Sequence, residues 1–171
     1  MICVLTGNGK GKTTSAMGQI LRALGRDQKV CLIQLFKGVN FYGEQKILVT
    51  LKNLDFHAFA PEHPFCFKNV STDQVRSQCR QALKIFEKVI HGRKKYGLIV
   101  LEEFNIALRD KMITCKDVLT ILKECDPTTN VLITGRGAPK ELLRCADLIT
   151  EMKEIKHPYA KGVAARKGWE F

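Results

Sequence analysis

A chain of 171 residues with a hydrophobic fraction of 45% is long enough for a substantial core, and we expect a single domain over residues 1–171. The net charge of +11 would attract any anionic partner, whether nucleic acid, a lipid surface or a phosphorylated small molecule, so it excludes none of these by itself. No signal peptide and no apolar run of roughly 18 residues is present, and the seven cysteines include no C-x-x-C pair, so we expect a cytoplasmic protein without a membrane span, zinc site or disulfide framework.

The first stretch of the chain combines a short strand, a glycine-rich loop and a helix. Residues 1–6 suit a buried strand, and residues 12–24 carry apolar side chains at helical spacing. Glycines let backbone N–H groups turn inward, the helix N-terminus favours an anion, Lys12 can reach a phosphate and Thr13 a metal ion. The stretch therefore predicts a polyphosphate site. Its residues are Gly7, Asn8, Gly9, Lys10, Gly11, Lys12, Thr13 and Thr14.

The loop departs from the usual phosphate-loop pattern at one position. The pattern G-x-x-x-x-G-K-[ST], anchored on Gly11, Lys12 and Thr13, requires a glycine where this chain has Thr6. The first loop glycine is Gly7, so the loop is one residue shorter and carries an added lysine. A glycine-rich turn without a ligand is the alternative, but the strand, glycines, Lys-Thr pair and helix occur in the order that phosphate binding requires. The departure suggests a triphosphate held in an unusual pose.

Strands and helices alternate through the rest of the chain. The continuous apolar run at 30–36 is typical of a strand covered on both faces. Further strands are predicted at 54–59, 98–101, 130–134 and 148–152. Further helices are predicted at 74–94, 116–125 and 139–145, with a short one ending near residue 51. This alternation predicts a doubly wound, mainly parallel α/β sheet with helices on both faces, in which ligands bind at the carboxyl ends of the strands.

Polar side chains follow two of the predicted strands. Glu102 and Glu103 follow the strand that begins at Leu98, where a phosphate-loop protein places a metal-side acid. Arg136 lies between two glycines after the next strand, and its planar guanidinium can bind phosphate at two points. Acidic residues at a strand end are common without a metal, so a metal role for these two requires that they lie close to the glycine-rich loop. We expect the loop and the acids to lie together at the carboxyl edge of the sheet.

Phe65 and Phe67 lie in an irregular segment at 61–69, whose two prolines rule out regular structure. Aromatic side chains in such a loop either anchor it to the core or face a ligand. The sequence pattern alone leaves both interpretations open.

Several of these stretches, in the same order, resemble the ATP:corrinoid adenosyltransferases of the RecA-like type. The resembling stretches are residues 6–14, 34–38, 43–44, 100–103, 134–137, 156–159 and 162–168. The resemblance covers essentially the whole chain and implies a RecA-like P-loop NTPase fold, usually in a homodimer. It also implies transfer of the 5′-deoxyadenosyl group of ATP to the Co(I) of a reduced corrinoid, in adenosylcobalamin biosynthesis or salvage. A reductase or flavodoxin would supply the electrons.

The resemblance also implies roles for single residues. The loop at 7–13 would hold the triphosphate, and Thr13 and Glu103 would bind Mg²⁺, with Glu102 as the second choice. Phosphate contacts are implied for Arg136 and, in a supporting role, Arg22. The residues expected to carry catalysis are Lys12, Thr13 and Glu103.

Phe65 and Phe67 match the positions of an aromatic pair that the family places near the lower face of the corrin. Such a pair would shield the cobalt from its lower ligand and ease reduction to Co(I). Co(I) is itself a strong nucleophile, so the reaction needs positioning and charge neutralisation rather than a general base or a nucleophilic side chain. The sequence shows no Ser-His-Asp or Cys-His constellation, which agrees with this chemistry.

Two other functions fit part of the sequence. A RecA-like ATPase or nucleic-acid-binding module would explain the phosphate loop and the charge, but the chain lacks a basic helix interleaved with aromatic residues. A small nucleoside or nucleotide kinase would require an acid near an acceptor hydroxyl and an arginine-rich lid, for which Arg136 alone is thin support. We therefore expect neither nucleic acid nor a membrane as a partner.

Overall fold

The computed structural model describes residues 1–38, 42–64 and 70–170. Its strands are β1 (Ile2–Thr6), β2 (Val30–Leu35), β3 (Leu54–Phe59), β4 (Leu98–Glu102), β5 (Asn130–Thr134) and β6 (Leu148–Glu151). Its α-helices are α1 (Lys12–Leu24), α2 (Gly43–Leu48), α3 (Thr72–His91), α4 (Phe104–Arg109), α5 (Cys115–Lys123) and α6 (Lys140–Cys145). A 3₁₀ turn, Pro158–Lys161, follows β6.

The strands form one sheet in the order β3-β2-β4-β5-β1-β6, and every neighbouring pair is parallel. Side chains alternate along the central strands, so Ile99 and Leu101 of β4 face one side and Leu98 and Val100 face the other. Helices α3 to α6 cover the first face, and α1 and α2 cover the second. The predicted doubly wound α/β sheet with helices on both faces is thereby confirmed, and the described sheet is entirely parallel.

The sheet order determines where the chain can build a site. Strand β5 lies between β1 and β4, so three successive carboxyl ends open on one edge of the sheet. The glycine-rich loop follows β1, the two acids close β4, and Arg136 follows β5. The convergence expected from the sequence therefore follows from the topology.

Helix α4 is an α-helix that the sequence pattern did not predict. It has six residues and begins directly after β4, with Glu103 at its start in the left-handed conformation at a φ of 63°. The Glu103 side chain makes no capping hydrogen bond, so the helix lacks the usual local start signal. Burial of residues such as Phe104 and Leu108 holds it in place instead.

Within the described ranges, no helix combines the length and the apolar character needed to cross a membrane.

Candidate active site

The loop between β1 and α1 has the backbone conformation that its glycines predict. Gly7 and Gly11 have φ angles of 94° and 118°, which L side chains rarely adopt. The N–H of Gly9 donates to the carbonyl oxygen of Met152 at 2.7 Å, and a Cβ at Gly7 would clash with the same oxygen. The loop therefore lies directly against the chain that leaves β6, and its glycines allow that close approach.

Lys12 lies inside this loop. Its side chain is buried, and its Nζ donates to the carbonyl oxygens of Gly7 and Gly9, both at 2.7 Å. Burial, followed by the nearby Arg136 guanidinium, lowers the pKa of Lys12. Because an ammonium has three donors, one remains for a ligand above the loop.

A chain of hydroxyl and carboxylate groups joins α1, β4 and β5. The Thr13 hydroxyl donates to Glu102 Oε1 at 2.6 Å, and the Thr134 hydroxyl donates to the other oxygen of this fully buried carboxylate. The Thr134 oxygen also accepts the N–H of Glu103 at 3.0 Å, and Lys37 Nζ lies 3.4 Å from the Thr13 hydroxyl oxygen. The first acid thus positions Thr13 from below, while the second lines a cavity above the loop.

Glu103 carries an unusual carboxylate. Its Oε2 atom is buried and has no hydrogen-bond partner among the described residues. Burial and then the neighbouring Glu102 charge raise the pKa of Glu103 to about 7, against the opposite influence of cations that include Lys37 and Lys12. A buried, unpartnered carboxylate oxygen at a cavity wall suits a bound cation.

The donor set near Thr13 and Glu103 fits Mg²⁺ rather than a metal caged entirely by protein. The described part of the chain contains no group of three or more His, Cys, Asp or Glu side chains that could hold a metal. Mg²⁺ commonly binds through one or two carboxylates and takes its other ligands from water and substrate phosphates. A hydroxyl and a free carboxylate oxygen beside a phosphate loop meet that requirement.

A cavity of about 930 Å³ opens above the loop, near the upper end of the roughly 300–1,000 Å³ of ligand pockets. Phosphate-side residues line it: 8–14, Lys37, Glu103 and Arg136. Other lining residues include Phe36, His63, Ile106 and Arg109, and the C-terminal residues Gly168, Trp169 and Glu170. Segments from the beginning, the middle and the end of the sequence therefore share the cavity.

One wall of the cavity carries a cluster of polar side chains that the sequence pattern did not reveal. His63 Nε2 lies 3.0 Å from Asp110 Oδ2, and Arg109 donates to the same carboxylate at 2.7 and 2.8 Å. The hydrogen bonds from Arg109 are the main reason that the pKa of Asp110 is lowered. The His63 ring also packs edge-on against Phe36, with 4.7 Å between ring centroids. These contacts anchor the segment after β3 to the end of α4.

Two further residues hold the strand ends together. Asn105, fully buried in α4, donates from Nδ2 to the carbonyl oxygens of Leu5 at 3.2 Å and Gly135 at 3.0 Å. The Thr6 hydroxyl accepts the N–H of Ala138 at 3.2 Å. This hydrogen bond joins the end of β1 to the turn that carries Arg136. Thr6, which stands where the phosphate-loop pattern has glycine, therefore has a structural role.

Most of the predicted site residues meet. Asn8 to Thr14, Glu103 and Arg136 line one cavity, and Glu102 lies beneath it. Arg22 does not join them, because it is exposed in the last turn of α1, ten residues beyond Lys12 and therefore about 15 Å along the helix. Phe65 and Phe67 lie outside the described residues, and their role stays a prediction.

A parallel α/β sheet with a phosphate loop after β1, acids at the end of β4 and a cationic turn after β5 defines a P-loop nucleotide-binding protein. The sequence model of the family described as "ATP:corrinoid adenosyltransferase BtuR/CobO/CobP" matches residues 1–171. The chain belongs to this family.

Proteins named corrinoid adenosyltransferase resemble the chain over its whole length. The protein of Pseudomonas aeruginosa is 32% identical over 100% of this chain and 83% of its own length. The protein of Escherichia coli K12 is 30% identical over 100% of this chain and 85% of its own. A third, named corrinoid adenosyltransferase CobA, from Salmonella typhimurium, is 28% identical over 100% of this chain and 85% of its own. The family assignment therefore does not depend on the phosphate loop alone.

Proposed function

We propose that this protein transfers the 5′-deoxyadenosyl group of ATP to the Co(I) of a reduced corrinoid and releases triphosphate. The observation that carries the proposal is the shared cavity, in which the phosphate loop and Arg136 lie together with the wall formed by Phe36, His63 and Arg109. A triphosphate on the loop leaves the rest of that space for a second substrate. Membership of the family supplies the identity of the reaction.

The chemistry assigns the protein a limited set of tasks. The electron pair of Co(I) forms the bond to C5′, the C5′–O bond breaks, and the triphosphate leaves with that bond's electrons. The protein must orient the two substrates and neutralise the leaving group. Lys12, Lys37 and Arg136 supply positive charge at the loop, and the N-terminus of α1 adds its partial positive charge. No side chain has to accept or donate a proton.

Mg²⁺ is the expected partner of the triphosphate, and it would neutralise phosphate charge when bound. Thr13 and Glu103 are the residues proposed to hold it. Glu102 accepts the hydrogen of the Thr13 hydroxyl, and Lys37 makes only a long hydrogen bond of 3.4 Å to that oxygen, which leaves a lone pair for a ligand. This arrangement favours Glu103 as the direct metal-side acid and Glu102 as the residue that orients Thr13.

We also propose that Phe65 and Phe67 contact the lower face of the corrin, as the resemblance implies. The buried pair of His63 and Asp110 supports this, because it anchors the chain at the cavity wall two residues before Phe65. A reductase or flavodoxin is the proposed source of electrons.

A homodimer is the proposed assembly. Strand β6 is an edge strand of the described sheet, and its Leu148 and Ile149 are 43% and 48% exposed. Apolar side chains on an unpaired strand edge are typical of a surface that pairs with another chain. Sedimentation equilibrium of the purified protein tests this, and a monomer at micromolar concentration would contradict it.

A direct assay tests the proposed reaction. The protein is incubated anaerobically with ATP, Mg²⁺ and chemically reduced cobalamin, and the absorption spectrum is followed for a light-sensitive Co–C bond. Lys12→Ala should abolish the product, whereas Lys52→Ala, at an exposed turn outside the cavity, should retain it. The alternative of a nucleic-acid-dependent ATPase is not favoured by the family assignment. DNA-stimulated phosphate release without an adenosylcorrinoid would nevertheless contradict the proposal.

A further inference from the structure

Lys10, the lysine added in the shortened loop, contacts the C-terminal part of the chain. Its Nζ donates to the backbone carbonyl oxygen of Trp169 at 2.6 Å and lies 5.8 Å from the centroid of the indole ring. Lys12, two residues later, donates instead to carbonyl oxygens of the loop itself. The two lysines of one loop therefore have different partners, and the partner of Lys10 lies 159 residues away in sequence.

Residues 166–170, the tail turn, owe their shape to their own contacts. The N–H groups of Trp169 and Glu170 donate to the carbonyl oxygen of Arg166 at 3.2 and 2.9 Å. The Glu170 carboxylate accepts the N–H of Arg166 at 2.8 Å and also its guanidinium. The Arg166 guanidinium lies 5.8 Å from the indole centroid. The hydrogen bond from Lys10 then joins this preformed turn to the phosphate loop.

The tail turn borders the candidate nucleotide cavity. Gly168, Trp169 and Glu170 line that cavity together with the loop, although Trp169 is 66% exposed as a residue. The pKa of Glu170 is lowered mainly by its hydrogen bonds from Arg166, and the positive charge of Lys10 lowers it further. A cation and an exposed aromatic ring thus lie together at the rim of the phosphate site.

We propose that Lys10 and the tail turn form a further wall of the triphosphate site, in which the Trp169 carbonyl positions the Lys10 ammonium for phosphate. An ammonium has three N–H donors, so one can stay on Trp169 while the others bind phosphate oxygens. The Trp169 carbonyl holds the flexible Lys10 side chain in one arrangement, so less conformational entropy is lost when phosphate binds, and bound phosphate in turn favours that arrangement. By linkage, the position of the turn raises the affinity for triphosphate. The inference rests on the proposed function in that it takes the loop as the triphosphate site.

Trp169 is the only tryptophan of the chain, so its fluorescence reports the tail turn without a label. The full-length protein is titrated with ATP, inorganic tripolyphosphate or adenosine, without corrinoid. Emission and quenching by neutral acrylamide are recorded. We expect ATP and tripolyphosphate to change the emission saturably and to reduce quenching, and adenosine to do neither. An indole that becomes more accessible to acrylamide on binding would overturn the proposed arrangement.

Lys10→Met keeps much of the aliphatic stem and removes the donor. We expect it to abolish the indole response and to weaken tripolyphosphate binding about tenfold, measured by calorimetry, because a charge-assisted hydrogen bond is lost. Lys52→Met removes an exposed lysine from a turn that lies outside both the cavity and the tail turn, and it should keep the full response. An undiminished response in Lys10→Met, with circular dichroism confirming its fold, would overturn the proposal.

Arg166→Ala loosens the turn without touching the loop. We expect it to weaken tripolyphosphate binding in the wild-type background and to have no further effect in Lys10→Met. Additive effects in the double variant would show that Arg166 acts independently of Lys10 and would contradict the proposal. An indole response without adenosyl transfer would refute the proposed reaction alone, and adenosyl transfer with a silent indole would refute this inference alone.

Discussion

Thr134 is the residue on which the arrangement of both acids depends, and Thr134→Val tests it. Valine keeps the shape of the side chain and removes the hydroxyl. In the wild type that hydroxyl donates to the fully buried Glu102 and accepts the N–H of Glu103 at 3.0 Å. The variant therefore leaves one oxygen of a buried carboxylate and one backbone N–H without their partner.

The expected loss for Thr134→Val follows from those two contacts. A hydrogen bond to a charged group contributes about 1.5–3 kcal/mol, and an unpaired buried amide costs roughly 1–3 kcal/mol. Because the Glu103 N–H is only partly buried, we expect the free energy of unfolding to fall by about 3 kcal/mol in all. For a chain of 171 residues this corresponds to a fall in Tm of roughly 6–12 °C.

Urea unfolding followed by circular dichroism measures this loss, and Thr129→Val is the matched control. Thr129 is also buried, but it precedes β5 at the opposite end of the strand and donates one neutral hydrogen bond to the Tyr96 carbonyl oxygen at 2.8 Å. The control should lose about 1 kcal/mol and keep the wild-type KM for ATP, whereas Thr134→Val should raise that KM. A Thr134→Val variant within about 0.5 kcal/mol of the wild type would refute the reasoning.

Four further substitutions follow, three at the site and one, Gly18→Ala, as a comparison in helix α1. Gly135→Ala should lower stability and activity, since φ is 128° and the added Cβ would lie 3.0 Å from Cβ of Asn105. A Cβ at Gly18 in α1 would meet no atom within 4 Å beyond its chain neighbours and its own helix backbone, so Gly18→Ala should raise the free energy of thermal unfolding by about 0.5–1 kcal/mol. The Glu103 carboxyl binds its proton more tightly in the folded protein, where its pKa is about 7, than in the unfolded chain, where it is 4.5. Without nucleotide, the free energy of unfolding should therefore fall as the pH rises through this range. Glu103→Gln should remove this contribution in urea unfolding at several pH values, and an identical pH profile would contradict the assignment. Phe67→Ala should reduce adenosylation more when Co(II) must first be reduced than when Co(I) is supplied, and an equal loss in both assays would argue against shielding.

The sequence predicted those parts of the fold whose signals are local. The apolar spacing of residues 12–24 and the buried runs at β2 and β5 gave elements whose bounds match the structure within a residue. Parallel topology then brought the loop, Glu103 and Arg136 to one edge, because each follows a strand. The candidate site could therefore be assembled from motif positions without any distance being known.

The sequence did not predict features that depend on contacts between distant segments. Asn105 looks like an ordinary polar residue, and only the approach of two strand ends gives its amide two carbonyl partners. His63 and Asp110, which contact each other, are 47 positions apart in the sequence. The contact of Lys10 with Trp169 joins the two ends of the chain. No periodicity or short motif encodes such pairs.

The stoichiometry of the products tests the central claim most directly. Anaerobic reaction of the full-length protein with ATP, Mg²⁺ and Co(I) corrinoid is stopped after partial turnover, and the products are measured by chromatography and phosphorus NMR. The account predicts one intact triphosphate for each adenosylcorrinoid formed. Release of phosphate or diphosphate without a Co–C bond would contradict it.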